Sequence, residues 1–298
     1  MLDESPKIPL FVKRQLPPMR HRFLSVAGRQ MHVMDRGKGR PVLMVHGNPT
    51  WGFLYREVIS ALLDDEKGRS LHLVAPDLIG LGYSEKPQHN EVHTLRNHSL
   101  FLKSLVQQLD LHDVILVFQD WGGPICLHAF AEMRERIGAM VVLNTAVGPP
   151  KQPFNPTLFH RFAQTSVAAP LMFRGFGFPQ LNLNLVQGDK RSIRRNAARA
   201  YRAPLAGLAN NRAPLAMARM VPDSHAHPSI TPLKETLDVF QSFSGPIRMV
   251  WGDNDPILGG VRTYLERLKP DAKVVRTSAG HFLQEEVPDE IAAAILDV

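Results

Sequence analysis

Two hydrophobic periods alternate along this chain. Short apolar runs with strand character recur at residues 42–45, 71–75, 114–118, 140–143, 247–250 and 274–275. Between them lie longer stretches whose apolar residues repeat near 3.6, which predicts helices over 53–63, 95–109, 123–136, 261–268 and 289–297. Near the start, runs at 23–26 and 30–34 bracket Gly28 and predict a hairpin. Buried runs alternating with helices imply an α/β protein with a mostly parallel, eight-stranded sheet flanked by helices on both faces.

The pattern breaks at Pro149. Pro, Phe and Arg become frequent, and no continuous strand-like run returns until Ile247. The chain is therefore read as a core of residues 1–148 and 229–298 interrupted by a helical cap of 149–228. A helix over 233–243 leads back to the core. A length of 298 residues and 44% apolar content suit one large domain with such an insertion. No apolar run approaches the ~20 residues a membrane span needs. Residues 8–12 are too short for the apolar part of a signal peptide. Cys126 is the only cysteine. Together these features point to a cytoplasmic protein without disulfides.

Charge sharpens the division. Net charge is +7, yet residues 151–220 hold 11 Lys and Arg against the single acid Asp189, a local +10, so the remainder nets −3. Density peaks at Lys190, Arg191, Arg194, Arg195, Arg199 and Arg202. The first expectation is a solvated helical face; a contact between copies or an anionic surface partner are the alternatives. No recognition module accompanies the charge, which argues against nucleic acid.

Candidate chemistry sits where strands end. The run 114–118 passes through Gln119 to Asp120, then Trp121, Gly122 and Gly123 open a helix. This is the layout of a nucleophile elbow, a sharp strand-to-helix turn that usually presents serine. Here it presents a carboxylate. Asp255 follows the 247–250 strand and His281 follows the last, in the chain order nucleophile, acid, base. Asp255 lies farther past its strand than Asp253, so Asp255 is the expected acid and Asp253 the expected turn cap. Cys126 and His128, in the helix after the elbow, are expected to be structural. His225 and His227 lack a third partner for a metal.

His46-Gly47-Asn48-Pro49-Thr50-Trp51, Asp77-Leu78-Ile79-Gly80-Leu81-Gly82-Tyr83-Ser84, Gln119-Asp120-Trp121-Gly122-Gly123 and Ala279-Gly280-His281-Phe282-Leu283-Gln284-Glu285 occur in that order over nearly the whole chain. Together they resemble haloalkane dehalogenases of the α/β-hydrolase fold. The resemblance implies Asp120 as nucleophile, His281 as base, Asp255 as acid, and Asn48 with Trp121 as the halide-binding pair. It also implies no cofactor and no metal, with a halogenated alkane and water as partners. Where that family's other arrangement has a Glu acid after the sixth strand, this chain has Asn144, which supports Asp255 and the subgroup with an Asp-His-Asp triad and an Asn-Trp pair. Phe118 departs from the small residue usual two places before the nucleophile and is read as local repacking around a tight elbow.

An aspartate suits cleavage of carbon–halogen bonds. Serine would leave an alkyl ether, which activated water does not readily cleave; aspartate leaves an ester, which water activated by His281 can open. Halide needs no proton, only desolvated N–H donors, and an indole is a donor without a lone pair in the way. The backbone N–H groups of Asn48 and Trp121 are the expected oxyanion hole. Cap residues Phe154, Phe159, Phe162, Phe173, Phe176 and Phe178 are candidates for an apolar pocket lining. The closest rival is an epoxide hydrolase, which shares the aspartate; that family supplies a proton from two cap tyrosines, and this cap has only Tyr201. A non-catalytic binding protein of the same fold is the rival from another class, and it fits an intact triad less well.

Overall fold

The computed structural model describes residues 7–151, 154 and 157–298. Eight strands form one sheet in the order β1-β2-β4-β3-β5-β6-β7-β8. They are β1 (Arg20–Val26), β2 (Arg29–Arg36), β3 (Pro41–Val45), β4 (His72–Pro76), β5 (Val114–Gln119), β6 (Ile137–Leu143), β7 (Ile247–Gly252) and β8 (Lys273–Thr277). β2 pairs antiparallel with β1 and β4, and every other pairing is parallel. The expected hairpin pairs Val26 with Arg29 across Ala27 and Gly28, both at positive φ. That conformation matches the primed two-residue turns that suit twisted strands.

The central strands are apolar throughout because both faces of the sheet are covered. Successive residues of β5 serve opposite sides. Val114, Leu116 and Phe118 join the core under the Leu95–Gln108, Gly122–Ala129 and Ile230–Ser242 helices. Ile115 and Val117 join the core under the Arg56–Asp64 and Pro288–Leu296 helices. The Leu95–Gln108 helix starts where the Thr94 hydroxyl accepts a hydrogen bond from the Asn97 N–H at 3.1 Å. β8 is an edge strand kept polar by Lys273 and Arg276.

Two helix expectations change. The stretch 53–63 begins as a 3-10 turn, Gly52–Tyr55, before Arg56–Asp64. The helix expected over 123–136 stops at Ala129, and a separate 3-10 turn spans Arg134–Arg136. The chain bends between them, with Ala131 bonded back to the His128 carbonyl and Met133 to Phe130, so Phe130 and Met133 both stay in the core.

Between β6 and β7, the described residues contribute no strand. They form short helical pieces, among them Leu158–Ala163, Arg195–Arg202 and Ala213–Ala218. Prolines punctuate this stretch, and those at 204 and 214 sit in the first turns of Ala203–Leu205 and Ala213–Ala218, where a missing N–H is tolerated and marks a helix start. Phe159, Phe162, Phe173 and Phe178 pack on one another, with Ala163, Ala169, Leu215 and Ala218 beside them as a small core. These phenylalanines hold the cap together. Phe176 is exposed, and Phe154 lies against His225.

Candidate active site

β5 delivers Asp120 above the sheet between β3 and β6. Asp120 has φ +51°, a left-handed conformation uncommon outside glycine and one that Asp tolerates better than most residues. Neighbours fix it there. The Asp120 N–H donates to the Asn144 carbonyl at 3.0 Å, and the Asp120 carbonyl accepts from Gly123 N–H at 3.1 Å and from Thr145 Oγ1 at 2.6 Å. Phe118 does not crowd the turn, because its ring is fully buried in the core below. The close approaches are absorbed elsewhere. A Cβ on Gly47 would lie 2.3 Å from Asp120 Oδ1, and one on Gly122 would lie 2.2 Å from the Val45 carbonyl.

The Asp120 carboxylate faces two backbone donors and one imidazole. Its Oδ1 accepts from Asn48 N–H at 2.8 Å, and the neighbouring Trp121 N–H also favours the charged carboxylate. Its Oδ2 lies 3.7 Å from His281 Nε2. Burial raises the Asp120 pKa above the usual carboxylate value, while His281 and the two N–H donors oppose that rise. The loop carrying Asn48 is braced by His46, a fully buried ring that meets the Gly47 carbonyl at 2.9 Å and accepts from Leu78 N–H at 2.9 Å.

His281 Nδ1 lies 2.9 Å from Asp255 Oδ2. Asp255 therefore sets the tautomer with Nδ1 protonated and Nε2 facing Asp120. Burial disfavours charge on both partners. Their mutual attraction and hydrogen bond outweigh it, so the His281 pKa is raised and that of Asp255 lowered. Asp255 also accepts from Ile257 N–H at 2.7 Å and from Asn144 Nδ2 at 2.8 Å. Asp253 does not cap the turn with its side chain as expected. It forms ion pairs with Arg276 at 2.7 Å and Arg262 at 3.3 Å, because the β8 edge places Arg276 alongside it.

Three contacts were not anticipated from sequence. Asn144 does more than vacate an acid position: its Oδ1 accepts from Gly252 N–H at 2.9 Å and its Nδ2 reaches the Gly252 carbonyl at 3.1 Å, besides Asp255. Gln119, fully buried, places Nε2 at 3.2 Å from His281 Nε2 and at 3.1 Å from the His281 carbonyl. The Asn48 side chain donates from Nδ2 to the Pro214 carbonyl of the cap at 2.9 Å. Only a polar residue beside the nucleophile and another at the end of β6 hinted at the first two.

Trp121, almost fully buried, follows Asp120 directly, and among the described residues its indole N–H has no protein acceptor. Tyr201 is engaged elsewhere. It is fully buried and its hydroxyl bonds Glu285, which also pairs with Arg56. That engagement leaves it poorly suited to protonating an alkoxide. Cys126 is buried in the core, and His128 meets Glu235 at 2.8 Å. The His227 ring is occupied by the Arg219 carbonyl and the Ser229 N–H.

Known proteins share the fold and much of the length of this chain. Residues 40–288 match the α/β-hydrolase fold family. A haloalkane dehalogenase of Mycolicibacterium paratuberculosis is 32% identical over 285 residues, which cover 92% of this chain and 90% of that protein. A cis-3-alkyl-4-alkyloxetan-2-one decarboxylase of Shewanella oneidensis is 29% identical, covering 94% of this chain and 88% of its own length. Among solved structures, the tetrameric haloalkane dehalogenase of Paraglaciecola agarilytica NO2 superposes with a TM-score of 0.80 at 25% identity, over 100% of this chain and 98% of that one.

Proposed function

The chain belongs to the α/β-hydrolase family, among its haloalkane dehalogenase-like members, and from that premise we propose that it hydrolyses haloalkanes through an ester on Asp120. The observation that carries this reading is a carboxylate on the elbow, 3.7 Å from an imidazole that is itself held at 2.9 Å by Asp255. Asp120 Oδ2 attacks the carbon bearing the halogen, and the carbon–halogen bond breaks as the carbon–oxygen bond forms. Halide leaves toward the Trp121 indole N–H and the second N–H of the Asn48 amide. Water then gives a proton to His281 Nε2 and attacks the ester carbonyl carbon. Negative charge develops on Oδ1, where the Asn48 N–H already donates at 2.8 Å, with the Trp121 N–H beside the carboxylate as the second expected donor. Collapse releases alcohol, and the water oxygen stays in Asp120. The balance is haloalkane plus water to alcohol, halide and a proton, with no cofactor or metal required. A cytoplasmic location, a core of 1–148 and 229–298, and a cap of 149–228 complete the reading.

The oxetanone decarboxylase relative favours a second use of the same carboxylate. Attack on the ring carbon that bears the lactone oxygen would open the ring and free a β-carboxylate. Loss of CO₂ then forms the alkene and expels Asp120. This route consumes no water, so it needs no base.

The test compares halide release from 1-bromobutane and 1,2-dibromoethane with CO₂ release from a cis-dialkyl oxetan-2-one and diol formation from styrene oxide. His281→Ala should stall on the haloalkane, with intact mass raised by the alkyl group, and should spare decarboxylation. Unchanged mass with substrate bound, or halide release by Asp120→Ala, would refute the covalent route.

A further inference from the structure

We propose that the outer surface of the cap, residues 158–202, docks on an anionic lipid bilayer. Most exposed large apolar side chains of the described residues fall between Leu158 and Leu208. Leu158 is 83% exposed, Val167 75%, Phe176 61% and Leu185 60%. Scattered single exposures are ordinary on a soluble protein, but a concentration of this kind is not.

Part of the apolar segment is folded into local turns. Phe176 N–H bonds back to the Leu171 carbonyl at 3.3 Å, and Leu181 N–H to Gly177 at 3.2 Å. Leu171, Phe176 and Leu181 lie on the same segment that contributes Ala169, Phe173 and Phe178 to the small cap core. Positive charge begins where the apolar run ends: the Lys190 ammonium reaches back to the Leu185 carbonyl at 2.6 Å. The Arg195–Arg202 helix follows, burying Ala197, Ala200 and Tyr201 while Arg195, Arg199 and Arg202 stay exposed.

This combination selects the partner. Residues 151–220 carry 11 basic residues and one acid. A second copy presenting the same face would set like charges together, as a two-fold contact requires. Nucleic acid would be served by the arginines but not by exposed leucine and phenylalanine. An anionic membrane surface takes both, with apolar side chains entering the headgroup boundary and cations meeting phosphates. No helix of the described residues is long and apolar enough to span, so the contact lies in the interface.

Flotation of the full chain with vesicles tests this. The protein should float with phosphatidylglycerol-containing vesicles at low salt, much less with pure phosphatidylcholine, and be released as salt rises. Each basic residue near such a surface contributes about fivefold in affinity, so Arg194→Glu with Arg195→Glu should weaken binding by about 25-fold or more. Leu171→Ser with Leu185→Ser should weaken it about twentyfold or more. Circular dichroism shows whether these variants remain folded. Absence of flotation at low salt, equal flotation on neutral vesicles, or folded variants that float like the parent would each overturn the proposal. A drop in oligomer mass by light scattering in the leucine variants would also overturn it and assign the face to a second copy.

Discussion

Asn144→Ala tests whether the amide at the end of β6 holds the acid in place. The fully buried side chain makes three short hydrogen bonds, at 2.8 Å to Asp255 Oδ2, 2.9 Å from Gly252 N–H and 3.1 Å to the Gly252 carbonyl. Alanine would orphan the buried Gly252 N–H, at about 1–3 kcal/mol, and remove a bond to a charged acceptor, worth about 1.5–3 kcal/mol. The Gly252 carbonyl keeps Asp255 N–H at 3.3 Å, so it adds little. The expected loss is about 3–5 kcal/mol, seen as a fall in melting temperature of about 6–10 °C for a chain of this size. Asp255 keeps His281 and the Ile257 N–H, so the triad survives with a looser acid. If about 1 kcal/mol of that loosening reaches the transition state for ester hydrolysis, kcat falls about fivefold. The Asn144 side chain does not touch Asp120, so the alkylation step is spared. Rapid-quench halide measurement should show a retained first-turnover burst followed by a slower steady state. Unchanged melting would refute the hydrogen-bond reasoning, and a burst lost in proportion to the steady state would refute the separation of the two steps.

Two further variants should move one pH profile in opposite directions. His281 must be neutral to accept a proton, so ester hydrolysis falls as pH drops through its raised pKa. Asp255→Asn removes the negative charge that raises it, so the acid-side inflection should move to lower pH while the plateau falls by about 10²–10⁴-fold. The pH dependence of stability runs the opposite way: the His281 contribution is present below the ordinary histidine pKa, is lost as pH rises through the raised one, and should vanish in this variant. Gln119→Leu removes an N–H that meets the Nε2 lone pair at 3.2 Å and so favours the neutral ring, and its inflection should move to higher pH. An inflection that moves the same way in both variants, or stays fixed, would show that His281 is not the group being titrated.

What could be read from the chain alone follows from how local each signal is. β3, β5 and β6 are continuous apolar runs flanked by turn residues, and burial on both faces is what writes them that way. Asp120 stands directly after β5 and His281 in the loop that follows β8, where side chains of such sheets meet above the carboxyl ends. The contacts of Asn144, Gln119 and Pro214 span 108–166 residues of chain, so nothing in their local pattern marks them. The same limit explains Asp253. Its neighbours permit a local turn bond, and only the pairing of β7 with β8 brings Arg276 close enough to take the carboxylate. Phe118 shows the converse. The rule of a small residue before the elbow expresses a need for close approach, and here glycines at 47 and 122 meet that need from the facing side.

The Pro214 contact bears most directly on how cap and chemistry are joined. An amide nitrogen offers two protons, and one of those on Asn48 is committed to the cap carbonyl at 2.9 Å. The amide plane is therefore set from the cap, while the Asn48 backbone N–H is set from the core by Asp120 Oδ1 at 2.8 Å. Under the proposed reading, the free proton of that amide and the Trp121 indole N–H receive the departing halide. The donor from Trp121 rides on the elbow and keeps its position whatever the cap does. The donor from Asn48 is aimed only while the Ala213–Ala218 helix stays seated. A displaced cap would thus weaken halide stabilisation through one of its two donors and leave the nucleophile, its oxyanion donors and the His281–Asp255 pair untouched.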